Sequence, residues 1–368
     1  MNYPYFTSES VSEGHPDKIC DQISDAIVDE AIRLYPKSRV AVETLVTINQ
    51  VVLAGEVTCP HPIHYEQTAR KIIKELGYTN GIYQFNHHSN ITVLIHQQSG
   101  DISRGVDTGG AGDQGMMFGF ATNETKEYMP APIMLAHQLV ERIDTLRKNK
   151  TLPYLRPDGK SEVKMRYAKG KPQEVMKVVI AVPHKPEISN KDLKDALYTH
   201  VVKPVLKQHG YSVKKSQLIV NGTGRWNIGG PASDTGVTGR KIIVDSYGAM
   251  ARHGGGAFSG KDPTKVDRSG AYVCRYIAKN IVAHKLADKC EVQVAYAIGK
   301  RQPIAKAIET FGTEKVNKKK IEKFAWNLID LSVQGIITGL NLLRPIYRES
   351  ARYGHFGRNH FPWEVVVS

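Results

Sequence analysis

Glycine is unevenly placed in this chain, and that placement limits the fold more than any other feature. Dense clusters fall at Gly109-Gly110-Ala111-Gly112-Asp113-Gln114-Gly115, across residues 221–240, and at Gly254-Gly255-Gly256 with Gly260. Glycine weakens helix and strand interiors and suits turns and close backbone approaches. These stretches therefore read as loops, and they divide the chain into blocks. Between them, apolar periodicity predicts a helix from Pro16, with Ile19, Ile23, Ile27 and Ala31 on one face and Asp21, Asp25 and Asp29 on the other. Val40, Val42, Thr44, Val46 and Ile48 alternate as a strand within a β-rich stretch, residues 39–58. Further strands are expected at 92–95, 175–182, 217–221, 241–245 and 291–298. Helices are expected from Pro132, from Ser189 to a break at Pro204, and through Val266, Val273, Ile277 and Ile281. Strands and helices alternate without regular β-α-β spacing, which points to α+β with mixed or antiparallel sheet. No internal sequence repeat is visible.

The 368 residues allow two or three domains, and the net charge is +14. That charge is split. Residues 1–122 carry a net −6 and residues 123–368 a net +20. Such an excess calls for an anionic partner or a wide solvated surface. The densest cluster, Lys318-Lys319-Lys320 with Lys323, opens an amphipathic helix and reads as its wet face. No zinc-finger spacing or aromatic RNA-binding motif accompanies it, so nucleic acid is not the expected partner. No apolar run is long enough to span a bilayer, and the first residues do not read as a secretory signal. Cys20, Cys59, Cys274 and Cys290 are too sparse for a disulfide framework and read as free thiols in a reducing cytoplasm. Cys59, His61 and His64 have loose metal-like spacing without a nearby fourth ligand, and are not read as a zinc site.

The segment from His253 to Arg268 carries the most chemistry. Gly255, four residues, Gly260 and Lys261 approach the phosphate-binding G-x-x-x-x-G-K pattern, but Asp262 and Pro263 follow where a Ser or Thr and a helix should. Glycines there let backbone N–H groups approach phosphate oxygens, and Lys261 and Lys265 add positive charge. Asp267 supplies a hard oxygen suited to magnesium. At Glu13-Gly14-His15-Pro16-Asp17-Lys18, a helix start offers its dipole and free N–H groups to an anion. His15 there can donate to an oxygen gaining charge, and Asp17 can bind a metal. Arg225, Trp226, Arg240 and Lys241 stand in a glycine-rich segment that reads as a binding loop, with Trp226 able to stack on a flat base. Together these suit a polyphosphate nucleotide with magnesium. A kinase or ATPase, or a basic nucleic-acid-binding protein, remains open at this level.

Longer motifs narrow the choice. Phe6 to Lys18, Gly110-Ala111-Gly112-Asp113-Gln114-Gly115, Thr238-Gly239-Arg240-Lys241-Ile242-Ile243-Val244-Asp245, His253 to Arg268 and Tyr353-Gly354-His355-Phe356-Gly357-Arg358 resemble the S-adenosylmethionine synthetase (methionine adenosyltransferase) family. The resemblance runs from residue 6 to about 364. It implies sulfur attack by L-methionine on C5′ of ATP, then hydrolysis of the bound triphosphate to phosphate and pyrophosphate. It also implies three similar α+β domains about a pseudo-threefold, expected at 3–100, 101–219 and 220–364, in a cytoplasmic homo-oligomer. That oligomer is a dimer or a dimer of dimers (a homotetramer), with active sites at the dimer interface.

By the same likeness, His15 lies beside the bridging O5′. Asp17 and Asp267 are expected to hold magnesium, two ions per site, and Glu43 potassium. Lys160, Arg240, Lys241, Lys261 and Lys265 are expected around the phosphates. Asp158, Arg225, Trp226, Asp234 and Ala257 match nucleotide positions. Glu56, Gln98, Asp234, Lys265 and Ile298 match methionine positions, Ile298 at the apolar end. The stretch between Gln98 and Gly112 is a few residues shorter than in many bacterial relatives, where it gates the site.

Overall fold

The computed structural model describes residues 4–97 and 109–368. Its described residues form three sheets. One orders β1 (Tyr5–Val11), β6 (Lys160–Ala168), β7 (Lys171–Ala181) and β8 (Leu218–Val220). A second orders β4 (Asn90–His96), β3 (Gln50–Thr58), β2 (Arg39–Thr47) and β9 (Gly236–Val237). The third orders β11 (Ala305–Glu309), β10 (Lys289–Tyr296) and β5 (Gly115–Thr122). Each sheet packs on one long helix: α1 (Pro16–Leu34) on β2, α3 (Ala131–Lys148) on β1 and β6, and α7 (Val266–Ala283) on β5 and β10.

The connectivity repeats three times. A leading strand is followed by a long helix and then an antiparallel hairpin: β1, α1, β2–β3; β5, α3, β6–β7; β9, α7, β10–β11. The leading strand never joins its own hairpin. Instead β1 pairs antiparallel with β6, β5 with β10, and β9 with β2. The exchange is cyclic, so each sheet is completed by a strand from elsewhere in the chain. The first two units add a parallel strand, β4 on β3 after α2 (Tyr65–Glu75), and β8 on β7 after α4 (Asn190–Leu197) and α5 (Lys203–Gln208).

Local chemistry explains the elements. The β-rich stretch at 39–58 is a hairpin, turning at Ile48 and Asn49, with Asn49 in the left-handed region at φ +49°. The β6–β7 turn uses Lys169 and Gly170 at φ +50° and +72°, the twist that tight hairpins need. A π-turn spans Tyr198–Val202 just before Pro204. Pro204 lacks the N–H that would serve the His200 carbonyl, and Arg142 Nε donates to that carbonyl at 3.2 Å instead.

One expectation changes. Residues 242–245 form a short helix, α6 (Ile242–Asp245), and not a strand. Its end is held by a buried ion pair between Lys18 and Asp245. The acidic side of α1 is packed. Asp17, Asp21 and Asp25 are fully buried, and they accept the backbone N–H groups of Val237, Gly239 and Gly260 from distant loops.

Candidate active site

The strand β2 organises the site. Along one edge it meets β9 through Leu45 and Val237, and Ala41 bridges Lys261. The Val42 N–H donates to the Gly260 carbonyl at 2.9 Å, and the Thr238 N–H to the Thr44 carbonyl at 3.0 Å. The two glycine-rich basic segments thus lie side by side on one strand. They also touch each other: a side chain begun at Gly239 would come within 2.5 Å of the Ala257 Cβ.

Helix α1 fixes the same loops from behind. Asp17 Oδ1 accepts the Val237 N–H at 2.9 Å and Asp21 Oδ1 the Gly239 N–H at 2.8 Å. Ser24 meets Thr238 Oγ1 at 2.8 Å. Asp25 accepts the Gly260 N–H and both arms of the buried Arg268 guanidinium, at 2.6 and 2.7 Å. A fork-to-fork pair of this kind fixes direction as well as distance.

His15 is the N-cap of α1 and is almost wholly buried. Its Nδ1 accepts the Asp17 N–H at 3.1 Å, so the ring proton belongs on Nε2. That Nε2 is buried and has no partner among the described residues. Burial, followed by the nearby Lys241 and Lys160, lowers the imidazole pKa to about 3. His15 is therefore a neutral donor with nothing to donate to. Asp17 sits at the second helical position, with Lys241 Nζ on its Oδ2 at 2.5 Å and Arg240 Nε 3.7 Å from Oδ1. Although burial opposes it, the Lys241 contact and the Val237 N–H hold the carboxyl below its usual range. Asp17 stays ionised.

A second cluster surrounds α7's start. Asp267, again at the second helical position, meets Lys261 Nζ at 2.5 Å. Glu43 is raised by burial, opposed by Lys261 and reinforced by Glu56, so these three charges share one neighbourhood. Glu56 also lies 3.3 Å from His96 Nε2. Lys265 faces Asp262 at 2.5 Å. Asp262, the residue that breaks the phosphate-loop pattern, is an organiser. It accepts the Val40 N–H at 2.7 Å, the Thr264 N–H at 2.9 Å and the Thr264 hydroxyl at 2.6 Å.

A third group lies where Gly14 packs on Pro157, closely enough that any side chain at Gly14 would strike the Pro157 carbonyl. Asp158 accepts the Gly159 and Gly230 N–H groups at 2.7 and 2.8 Å. Burial raises its pKa to about 6, while Lys160 and Asp234 act on it from nearby. Trp226 is half-buried, its Nε1–H on the Ile228 carbonyl at 2.8 Å, and Arg225 and Asp234 are exposed. Ile298 follows β10 and is exposed. Gln98 lies outside the described residues.

Sequence reasoning missed Lys18, Asp21, Asp25, Asp245 and Arg268. The four-residue spacing of the α1 aspartates was the available signal, and it is the spacing of a second packed face as much as of a wet one.

Hard carboxylate oxygens on two helix starts, each beside a lysine, fit magnesium. That ion takes one or two protein carboxylates and shares the rest of its shell with phosphates and water. Among the described residues no cluster of three or more His, Cys, Asp or Glu side chains could hold a metal ion alone.

Two helix starts flanked by basic, glycine-rich loops have the chemistry to take a polyphosphate anion. Family models for the N-terminal, central and C-terminal domains of S-adenosylmethionine synthetase match residues 3–100, 108–226 and 228–365. A protein named S-adenosylmethionine synthase from Treponema denticola is 53% identical over 370 aligned positions, covering 98% of this chain and 95% of the relative. The chain belongs to the S-adenosylmethionine synthetase family. It is a methionine adenosyltransferase, forming S-adenosylmethionine from ATP and L-methionine.

Proposed function

We propose that His15 is the donor to the departing O5′, and that the basic loops hold the triphosphate around it. The methionine sulfur attacks C5′, the C5′–O5′ bond breaks, and the triphosphate leaves with the bonding pair. The thioether is a modest neutral nucleophile, so alignment and charge neutralisation must supply the rate. The observation that carries this reading is the buried His15 Nε2, unpartnered among the described residues and within the influence of Lys241 and Lys160. A neutral imidazole N–H can meet an oxygen as its charge grows without giving up a full proton.

Lys160, Arg240, Lys241, Lys261 and Lys265 are the phosphate ligands in this reading. Asp158, Arg225, Trp226, Asp234 and Ala257 contact the nucleoside. Glu56, Gln98, Asp234, Lys265 and Ile298 contact methionine, with Glu56 and Asp234 on its ammonium. Asp17 and Asp267 would hold Mg2+, two ions per site, and Glu43 would hold K+. Those ions supply further neutralisation of phosphate charge. Lys241 and Lys261 already rest on the two aspartates, so they are poised to move onto phosphate oxygens.

The domain division in this reading is 3–100, 101–219 and 220–364, and the compartment is the cytoplasm, in keeping with four free cysteines. The assembly is a homodimer or a dimer of dimers with sites at the dimer interface. Leu94 on β4, Met116 on β5, and Ile298 and Ile304 before β11 are large apolar side chains left exposed in the single chain, as burial in an assembly would require. Incubation with ATP, methionine, magnesium and potassium should give S-adenosylmethionine, phosphate and pyrophosphate in equal amounts. Absence of S-adenosylmethionine would refute the assignment. Mixing His15→Asn with Lys265→Ala chains tests shared sites, and no recovered activity would count against them.

A further inference from the structure

Arg240 and Lys241 stand side by side between β9 and α6, and both ends of the pair are tied to α1. Upstream, Asp21 Oδ1 holds the Gly239 N–H at 2.8 Å. Downstream, Lys18 Nζ meets Asp245 Oδ1 at 2.5 Å. Asp245 closes the helical turn that begins at Lys241, its own N–H on the Lys241 carbonyl at 2.8 Å. One side chain joins the two anchors, because Lys18 Nζ also lies 2.9 Å from Asp21 Oδ2. Lys18, Asp21 and Asp245 are 1%, 0% and 2% exposed. They lie behind the site, not in it.

We propose that Lys18, Asp21 and Asp245 form a positioning triad that sets where Arg240 and Lys241 meet the triphosphate. The proposal rests on the assignment of those two cations to the triphosphate. Its physical basis is that a lysine ammonium on a four-carbon stem does not place itself. Its backbone must be held, and here it is held on both sides. Gly239, at φ +77° and pressed against Ala257, lets the chain turn tightly enough for Asp21 to reach it. The Asp245 carbonyl accepts the His355 N–H at 2.9 Å, which fixes the downstream anchor in turn. Cations held in advance need no reorganisation when phosphate charge develops.

The test is a double-substitution cycle between Lys18→Met and Lys241→Met in the full-length enzyme. Two activities are read: S-adenosylmethionine formation, and hydrolysis of added inorganic tripolyphosphate. Lys18→Met should lower kcat/KM for ATP by about 10- to 100-fold, with tripolyphosphate hydrolysis falling in parallel. The KM for methionine should stay within about twofold, since that interaction is untouched. In the Lys241→Met background the same change should cost at least about threefold less than in the wild-type enzyme, because one of the two cations it positions is gone. Lys18→Arg should recover most of the loss. If Lys18→Met does not fold, Asp245→Asn takes its place in the cycle, with Asp245→Glu as the rescue. Additive losses in the cycle, or an equal rise in the methionine KM, would overturn the triad's role. A wild-type enzyme that forms no S-adenosylmethionine would instead overturn the functional assignment, so the two failures are read apart.

Discussion

The starts of α1 and α7 are two versions of one device. His15, Pro16, Asp17 and Lys18 occupy the cap and first three positions of α1; Lys265, Val266, Asp267 and Arg268 occupy the same positions of α7. In both, the aspartate meets a loop lysine: Asp17 with Lys241, Asp267 with Lys261. In both, the next residue is a buried cation paired with aspartates, Lys18 with Asp21 and Asp245, and Arg268 with Asp25. The difference lies in the cap. Histidine is neutral and donates through one orphaned N–H, whereas Lys265 is charged and rests on Asp262. The corresponding start of α3 is Pro130, Ala131, Pro132 and Ile133, with no charge at all. Three equivalent helix starts have been given three chemistries: one a neutral buried donor, one a fixed positive charge, and one apolar core.

The comparison can be broken at its supports first. Asp25→Asn leaves the fully buried Arg268 guanidinium without its counter-charge. It should cost about 3–5 kcal/mol in urea unfolding, as for a broken buried pair. A loss below about 1 kcal/mol would show that Arg268 is not held by this acid. Next come the aspartates themselves. Asp17→Asn and Asp267→Asn should each lower kcat by about 100- to 1000-fold, the scale of a lost charge-stabilising group. Losses differing by more than about tenfold would mean that the two starts do not share the load. A smaller effect is expected at Gly256, where a Cβ would lie 2.3 Å from the Asp267 carboxylate. Gly256→Ala should displace that carboxylate and cost about tenfold in kcat. Unchanged activity would place Asp267 outside the working site.

The smallest effect separates the two caps by pH. The folded His15 pKa of about 3 lies below its ordinary value of 6.5. Above pH 6.5 the group is neutral in both folded and unfolded chains. As pH falls from 6.5 toward 3 the unfolded chain takes up a proton that the folded chain refuses, so stability is lost. His15→Asn should make the fall of stability over that window shallower by up to one proton's worth of slope. His137 is depressed to about 3 as well, and burial lowers His355 too, so part of the slope remains. An identical slope in the variant would contradict a neutral, buried His15.

Much of this was legible in the chain. Pro16 and the Ile19, Ile23, Ile27 spacing marked α1, and the glycine clusters marked the loops that β2 now carries side by side. Other parts were not. Asp21 and Asp25 marked the polar side of α1, but amphipathicity separates apolar from polar, not wet from paired, so their loop partners could not be read. Ile242-Ile243-Val244 reads as strand by composition, but tertiary contacts, with Lys18 gripping Asp245, wind it into a helix turn. The threefold repeat of strand, helix and hairpin left no sequence trace, since each unit buries different partners and its leading strand pairs far away. Asp262 counted against a phosphate loop by motif. The structure shows it doing work a motif cannot encode, organising Val40, Thr264 and Lys265 together.

The cyclic exchange of leading strands also governs the order in which the chain can settle as it is made. β1 ends at Val11, and its partner β6 begins at Lys160. At about 5–20 residues per second, the ribosome needs roughly 10–30 s to deliver that partner. Through that interval β1 has an unpaired edge. The sheet holding β2 and β3 lacks β9 until residue 237 emerges, and the sheet begun by β5 waits for β10 at residue 289. No shorter nascent chain can close all three sheets. A chain stalled near residue 150 would display two orphan strands, β1 and β5, to any chaperone or neighbouring chain.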